Sequence, residues 1–481
     1  MYGKVLLTGT ALAGVLAWGF WWAHHPHASG PGAVALQGKL TQAFGLQSPA
    51  VVVTPAFNHY IVTIAPDRVA GAPPPERAIL ATMTPWQVDL TPMEGGQWQV
   101  TAAPQDLRGR IALTTASASI DYTLKGYAVS ALYDETLGFL RSWQTAFDSL
   151  EMVQSATMPA SDPRSPAAPT TISRYRADGR ALARGAGLDV TIRSGTEATT
   201  QEMAFPQEEG VVMVAATTGP SQSETRIEGL RWAEILPLLS LPKGGAQMDA
   251  RQLAQNAAAA MPFFEKVTTS TEITAPMLAL PQGPARAARA GAALSLAGTG
   301  AAAQMHYLLD VEGLSLPEEI SPAWAKPLLP QDIYLDLGLE GYDPMGFFKA
   351  ALSDYGAGKT PGEDALAQLV PGGRLSVSVA PSRITGPEYL FGLQGAFRQS
   401  LSAGSLPEQV QGKATMTGMD KVLAAFGTAP NPEQLTPALV LLGAMKALAR
   451  PDGNGGLIWE IEPGPDGLPK VNGTMIGDVL N

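Results

Sequence analysis

Residues 86–103 read WQVDLTPMEGGQWQVTAA. Trp86, Val88 and Leu90 alternate with polar residues, Met93-Glu94-Gly95-Gly96 interrupts them, and Trp98 and Val100 resume the alternation. A period of two puts every second side chain on one face of a strand. Paired glycines supply the positive φ values that a tight reversal needs. The stretch therefore predicts a β-hairpin with one apolar face, and with it an antiparallel sheet.

The same rhythm extends outward. Residues 109–132, GRIALTTASASIDYTLKGYAVSAL, continue the alternation. Two strands are expected in 48–69, more strands in 172–203, and a hairpin in 211–230, VVMVAATTGPSQSETRIEGL. Strand-like runs recur after 292, and GLIWEIEPGPDGLPKVNGTMI (456–476) predicts a terminal hairpin. Helical spacing marks other segments. Leu137, Leu140, Trp143, Phe147 and Leu150 recur three to four residues apart and predict a helix over 133–153. Further helices are expected at 36–44, from 249 up to Pro262, over 344–356, in EDALAQL (363–369), and over 431–450 with Pro451 as the stop.

The expected fold class is α+β, predominantly antiparallel β-sheet with four or five packing helices, after one N-terminal transmembrane helix. The expected divisions are 1–23, a membrane anchor or signal; 24–154, a first β-rich segment with the helix 133–153; 155–171, a Pro-rich linker; 172–281, a second β-rich segment; 282–291, a breaker carrying Arg286 and Arg289; and 292–481, a C-terminal α+β segment.

The first division rests on Val5–Ala23, a run of 19 residues without a charge. As a helix it would span ~28 Å, close to the bilayer's hydrocarbon thickness. Lys4 precedes it and no Lys or Arg follows until Lys39, which places the amino terminus in the cytoplasm and the bulk of the chain in the periplasm, on a single inner-membrane pass. Trp18, Phe20, Trp21 and Trp22 fall at the far edge, as membrane-interface residues. A cleaved signal peptide is the rival reading, but signal h-regions are shorter and end in small residues. His24, His25 and His27 follow. Pro26 breaks their spacing and no carboxylate lies nearby, so a polar tether accounts for them better than a metal site.

Composition narrows the function. The 481 residues are 45% hydrophobic and 16% charged, with net charge −11 and no cysteine. The charge argues against nucleic-acid or anionic-lipid binding through a broad basic face. The absence of cysteine removes disulfides, thiolate catalysis and Cys-based metal sites.

The C-terminal third carries a resemblance. ALVLLGAMKALARPDGNGGLIWEIEPGPDGLPKVNG (438–473), preceded by GKATMTGMDKVLAAFG (412–427) and LLPQDIYLDLGLEGY (328–342), resembles the bacterial family designated domain of unknown function 2125. The resemblance implies an exported, β-rich, envelope-associated protein of alphaproteobacterial type. That family is similar in general look to AsmA-like envelope proteins, whose long sheets form apolar grooves for lipid. Its motifs are structural, and no catalytic residue carries over.

Catalytic signatures are not found. GAGKT (356–360) has Ser353 where a phosphate loop needs its first glycine, and Pro361 spoils the helix that should follow. His59 and His306 stand in strand-like runs, where pairing to a backbone group is the simpler account. Glu208-Glu209 and Glu318-Glu319 are adjacent in sequence and would face opposite sides of a strand. No catalytic residue, cofactor or metal is expected. The working expectation is a non-enzymatic envelope protein with lipid or other hydrophobic cargo in a β-sheet groove. The alternatives are a scaffold that binds an envelope-protein partner, or a periplasmic hydrolase built on His59 or His306.

Overall fold

The computed structural model describes residues 28–44, 51–65, 79–113, 118–156, 168–207, 210–239, 250–360, 362–400, 409–430, 432–464 and 469–475. The residues of the anchor, Trp18, Phe20, Trp21 and Trp22, and the three tether histidines lie outside them. Among the described residues, no helix is long and apolar enough to cross a membrane. The chain folds as two compact units, Met1–Arg184 with Leu236–Met248, and Gly185–Ile235 with Asp249–Asn481.

Unit 1 opens with α1 (Gly30–Phe44) and then runs through eight strands: β1 (Val51–Pro55), β2 (Tyr60–Ile64), β3 (Ile79–Met83), β4 (Trp86–Pro92), β5 (Gln97–Leu113), β6 (Ala118–Asp134), β7 (Phe139–Ala156) and β8 (Ala168–Arg184). All pairings are antiparallel, in the order β1–β2–β4–β5–β6–β7–β8, with β3 on the far half of β5. The 86–103 hairpin forms as its pattern predicts, closed by Met93 N–H donating to Gln97 O at 2.8 Å, with Gly95 and Gly96 at φ 72°. α1 covers one end of the sheet. Its Ala33 is buried with Val51, Val53, Tyr60 and Val62, and Leu36, Leu40, Leu90 and Trp98 pack around them.

The helix expected over 133–153 is instead the end of β6, a turn, and β7. Asp134 does resemble a helix cap in sequence. Its Oδ1 accepts from Thr136 N–H (2.9 Å) and Leu137 N–H (3.3 Å), but the chain then reverses through Gly138 at φ 60°. Burial opposes the charged carboxylate of Asp134, yet those N–H groups together with Arg141 and Gln97 outweigh it and hold its pKa below the usual range. The apparent helical spacing has a separate cause. Trp143, Thr145 and Phe147 share one face by ordinary alternation, and Leu150 rejoins that face through an irregularity after Phe147. A step of four followed by a step of three is what a helix would also show.

That irregularity belongs to a row at which the alternation slips in four strands, with register shifts between β5 and β6. The β5–β6 register gains a residue on β5 between Ala102 and Gln105, then one on β6 between Tyr127 and Leu124. Paired residues share a face, so Ala102, Gln105, Leu107, Val129, Tyr127 and Leu124 all lie on one side. β7 and β8 follow without a register shift: Leu124 pairs with Leu150, which pairs with Ile172. Gly126 and Arg174 take positive φ at this row, 66° and 46°. A side chain at Gly126 would also run into the Asp148 carboxylate. The bulges thus restore a single apolar face after each alternation slips phase.

Unit 2 carries a larger sheet. Its strands are β9 (Gly187–Thr196), β10 (Ala198–Gln207), β11 (Gly210–Thr218), β12 (Ser221–Leu230), β13 (Lys266–Thr274), β14 (Met277–Leu280), β15 (Gly283–Arg286), β16 (Arg289–Ala297), β17 (Gln304–Glu312), β18 (Asp332–Glu340), β19 (Arg374–Thr385), β20 (Leu390–Ser400), β21 (Gln409–Thr417), β22 (Arg450–Pro451), β23 (Leu457–Pro463), β24 (Pro469–Val471) and β25 (Thr474–Met475). Eleven of them form one antiparallel run, β9–β12–β13–β16–β17–β18–β19–β20–β21–β23–β24. The hairpin expected over 211–230 does not form as such. β11 pairs with β10 and β14 while β12 pairs with β9 and β13, so Gly219-Pro220 leads the chain from one set of strands to another.

The described residues hold seven α-helices, more than the four or five expected: α1, α2 (Trp232–Leu239), α3 (Ala250–Ala260), α4 (Pro344–Gly356), α5 (Glu363–Ala367), α6 (Met419–Gly427) and α7 (Thr436–Leu448). α4 matches the expected 344–356, with Pro344 at its first turn and Asp343 as its cap, accepting from Gly346 N–H at 2.8 Å. Buried Asp343 also accepts from Gly300 N–H, tying α4 to the β16–β17 connection. GAGKT is the end of this helix: Lys359 N–H returns to Asp354 O and Gly358 takes φ 77°. A phosphate loop needs a helix to begin there.

Candidate apolar sheet face

The strongest feature of unit 2 is one row of side chains. Val190 pairs with Ile227, Ile227 with Val267, Val267 with Leu296, Leu296 with Met305, Met305 with Leu339, Leu339 with Val377, Val377 with Phe397, and Phe397 with Val410. The parallel rows Leu294–Tyr307–Leu337–Val379 and Ala292–Leu309–Leu335 lie on the same side. Alternation makes this side apolar across β16–β20 and leaves the opposite one mostly polar, while at β12 and β13 the paired hydroxyls of Thr225 and Thr269 share the apolar side.

One bulge keeps this side continuous. β19 reads Val377, Val379, then Ala380-Pro381-Ser382, then Ile384. Strict alternation would bring Arg383 onto the apolar side. An extra residue enters between Val379 and Ser382, seen by both neighbouring strands, and Ile384 pairs with Ile333 and Phe391 instead. Pro381 has no N–H to give a ladder, which suits a bulge. Buried Ser382 repairs the gap: its hydroxyl accepts from Asp336 N–H (3.0 Å) and donates to Ala380 O (2.9 Å). Sequence reasoning passed over Ser382; the only available signal was a proline inside an otherwise alternating strand.

Coverage of the face is uneven. At its C-terminal side α7 lies over it, where Met445 and Leu448 pack against buried Ala414, Trp459 and Val471. Trp459 Nε1–H donates to Met445 O at 2.7 Å. At its other side Leu188 and Val190 are buried. Between them, Leu294, Leu296, Met305, Tyr307, Leu309, Leu335, Leu337, Leu339, Val377, Val379 and Phe397 are only half-buried. β16, β17 and β18 are each nine residues long. Five strands of that length make a strip about 30 Å long and about 20 Å across. Its area, about 600 Å², is at the upper end for the largest apolar patch of a soluble monomer. The strip carries no charge, and its hydroxyls belong to Tyr307 and to Ser382, whose group the bulge consumes.

The polar side holds ion pairs. Arg289 binds Asp310 and Glu312, each at 2.6 Å, which raises its own pKa and lowers that of Glu312. Arg289, from the expected breaker, is therefore anchored by two carboxylates. Glu340, Ser376, Arg398 and Gln409 line a cavity of ≈ 180 Å³ on that side, with Arg398 Nε–H donating to Ser376 Oγ at 3.2 Å.

Neither candidate histidine lines that cavity. His59 sits in the β1–β2 turn beside Asn58 Oδ1, at 3.0 Å. His306 lies on the exposed polar side, with Nε2 2.6 Å from Asp336 Oδ1. No serine hydroxyl is bonded to either ring among the described residues, which a nucleophilic relay requires. Glu318 pairs with Lys326 at 2.5 Å, and that contact lowers its pKa; Glu208-Glu209 lie outside the described residues. Among the described residues, no group of three His, Asp or Glu side chains is placed to hold a metal ion. No family model, no curated protein and no solved structure matches the chain.

Proposed function

We propose that this chain is a membrane-anchored envelope protein of the periplasm that takes up acyl chains or similar hydrophobic cargo on the apolar face of unit 2. The half-buried central strip carries this reading. Protein interfaces use aromatic and Arg anchors and about one hydrogen bond per 100–200 Å². The strip offers aliphatic side chains and almost no polar groups, which suits hydrocarbon. One leaflet's acyl chains occupy ~15 Å, so they fit along strands of ~30 Å. Each methylene buried contributes ~0.8 kcal/mol. The proposed membership in the domain of unknown function 2125 family, and the AsmA-like look it brings, agree with such a role.

Purification from membranes, followed by lipid extraction and mass spectrometry, tests the proposal together with fluorescent fatty-acid uptake. Leu337→Asp places a charge at the centre of the strip and should weaken uptake at least ~tenfold, equivalent to ~1.4 kcal/mol. Absence of bound lipid and of uptake in the unaltered protein would overturn the proposal. The openness of the strip favours one second reading, a scaffold for another envelope protein. That reading predicts a stoichiometric protein partner lost on the same substitution, with no lipid recovered.

A further inference from the structure

We propose that the β1–β2 hairpin tip of unit 1, led by Phe57, dips into the outer headgroup layer of the membrane beside the anchor. The inference rests on Val5–Ala23 being that anchor, and adds to it a second contact. Three observations meet at this tip. First, the chain enters unit 1 here: Ser29 N–H donates to the Tyr60 hydroxyl at 3.2 Å, and Tyr60 pairs with Pro55 across the tip. Only four residues separate Ala28 from Ala23, so the reach over five steps of chain is at most about 18 Å. The tip therefore stays close to where the run Val5–Ala23 ends. Second, Phe57 in the tip is 61% exposed, and Val34, next to the Ala33 that packs with Tyr60, is 75% exposed. Aromatic rings at such depth favour the interface. Third, the charge suits it. The chain carries −11 in total, yet no Asp or Glu precedes Asp67, and Lys39 lies on α1. An anionic lipid surface attracts such a corner and repels most of the rest.

The chain has no cysteine, so any introduced cysteine is the sole labelling site. Phe57→Cys, Val34→Cys and Val153→Cys, each in the full chain, would be labelled with an environment-sensitive fluorophore and reconstituted into vesicles of phosphatidylethanolamine and phosphatidylglycerol. Val153 is also exposed but pairs with Asp121, far along the strands from the tip. The expected result is a blue-shifted emission at 57 and 34 that headgroup-depth quenching lipids suppress, with water-like emission at 153. Vesicle-bound protein with water-like emission at 57 and 34 would overturn the proposal and leave the anchor standing. Equal quenching at all three positions would overturn it as well, since contact would then be unspecific. Protein that fails to float with the vesicles would overturn both.

Discussion

Unit 1 and unit 2 solve one problem at different scales. Each builds an antiparallel sheet with a single apolar side, and each must carry that side across an interruption in its alternation. Unit 1 uses long strands, 17 residues in β5, β6 and β8 and 18 in β7, and breaks all four along one row. Unit 2 uses shorter strands and meets the interruption at its centre with the bulge at Ala380–Pro381 in β19, while a second register shift lies toward its edge, between Ile227 and Leu230 of β12. Side-chain chemistry differs too. Unit 1's face is aromatic: Phe147 stacks on Tyr175 at 4.8 Å, Trp86 meets Tyr127 at 6.0 Å, and Phe139 meets Trp143 at 6.0 Å. The centre of unit 2's face is mostly Leu, Val and Ile. Rigid rings make directional contacts with one another, while branched aliphatic chains leave a smoother surface for flexible hydrocarbon.

Inserting a second alanine after Ala380 is the most damaging way to test the equivalence of the two devices. With two extra residues where the bulge holds one, Arg383 and Thr385 turn onto the apolar side of unit 2. A loss above about 4 kcal/mol is expected, because a buried charge and a displaced register combine. Limited proteolysis should cut β19–β23 while unit 1 stays protected. A variant that melts like the parent would mean that the bulge takes up a second residue at no cost.

Gly179→Val strikes the aromatic face instead. Trp143 lies over Gly179, and any Cβ there meets its indole ring. Displacement should cost about 1–3 kcal/mol and reduce the near-ultraviolet circular dichroism of the tryptophans. An unchanged spectrum would show that the ring has room to move.

Ser382→Ala keeps the register of β19 but leaves Asp336 N–H and Ala380 O without their partner. The expected cost is about 1–3 kcal/mol in chemical unfolding, less than that of the insertion after Ala380. Fatty-acid uptake should survive, since the hydroxyl does not face the cargo.

Asp134 gives the smallest effect and the only one tied to pH. Its folded pKa is lowered. Its contribution is therefore complete above the unfolded value, ~3.9, and disappears as pH falls through the folded one. Asp134→Asn keeps the turn's acceptor oxygen but loses the charge. The variant should be less stable than the parent at neutral pH, and the two should converge in acid. A constant difference down to the acid limit would assign the effect to geometry alone.

Much of the architecture was legible locally. The 86–103 hairpin, α4 at 344–356 and the end of α3 before Pro262 follow from turn glycines, a capping aspartate and prolines, which act within a few residues. The candidate strip was legible as alternation in 374–397, though not its width, because strand order is not written in any one segment. β7 was misread for a definite reason: a strand whose phase slips once has the same apolar spacing as a helix. Its neighbours β6 and β8, slipping at the same row, decide between the two.

The sequence by itself therefore determined where strands turn, where helices stop, and that apolar and polar side chains separate by alternation. It also determined the apolar run before residue 24 and the absence of cysteine. The tertiary structure alone decided which strands sit side by side, and so whether scattered apolar residues join into one surface. It decided too that α7 covers one side of that surface and leaves its centre half-buried. The physical reason is that alternation is a property of the φ, ψ angles of one strand, whereas a face is a property of register among eleven.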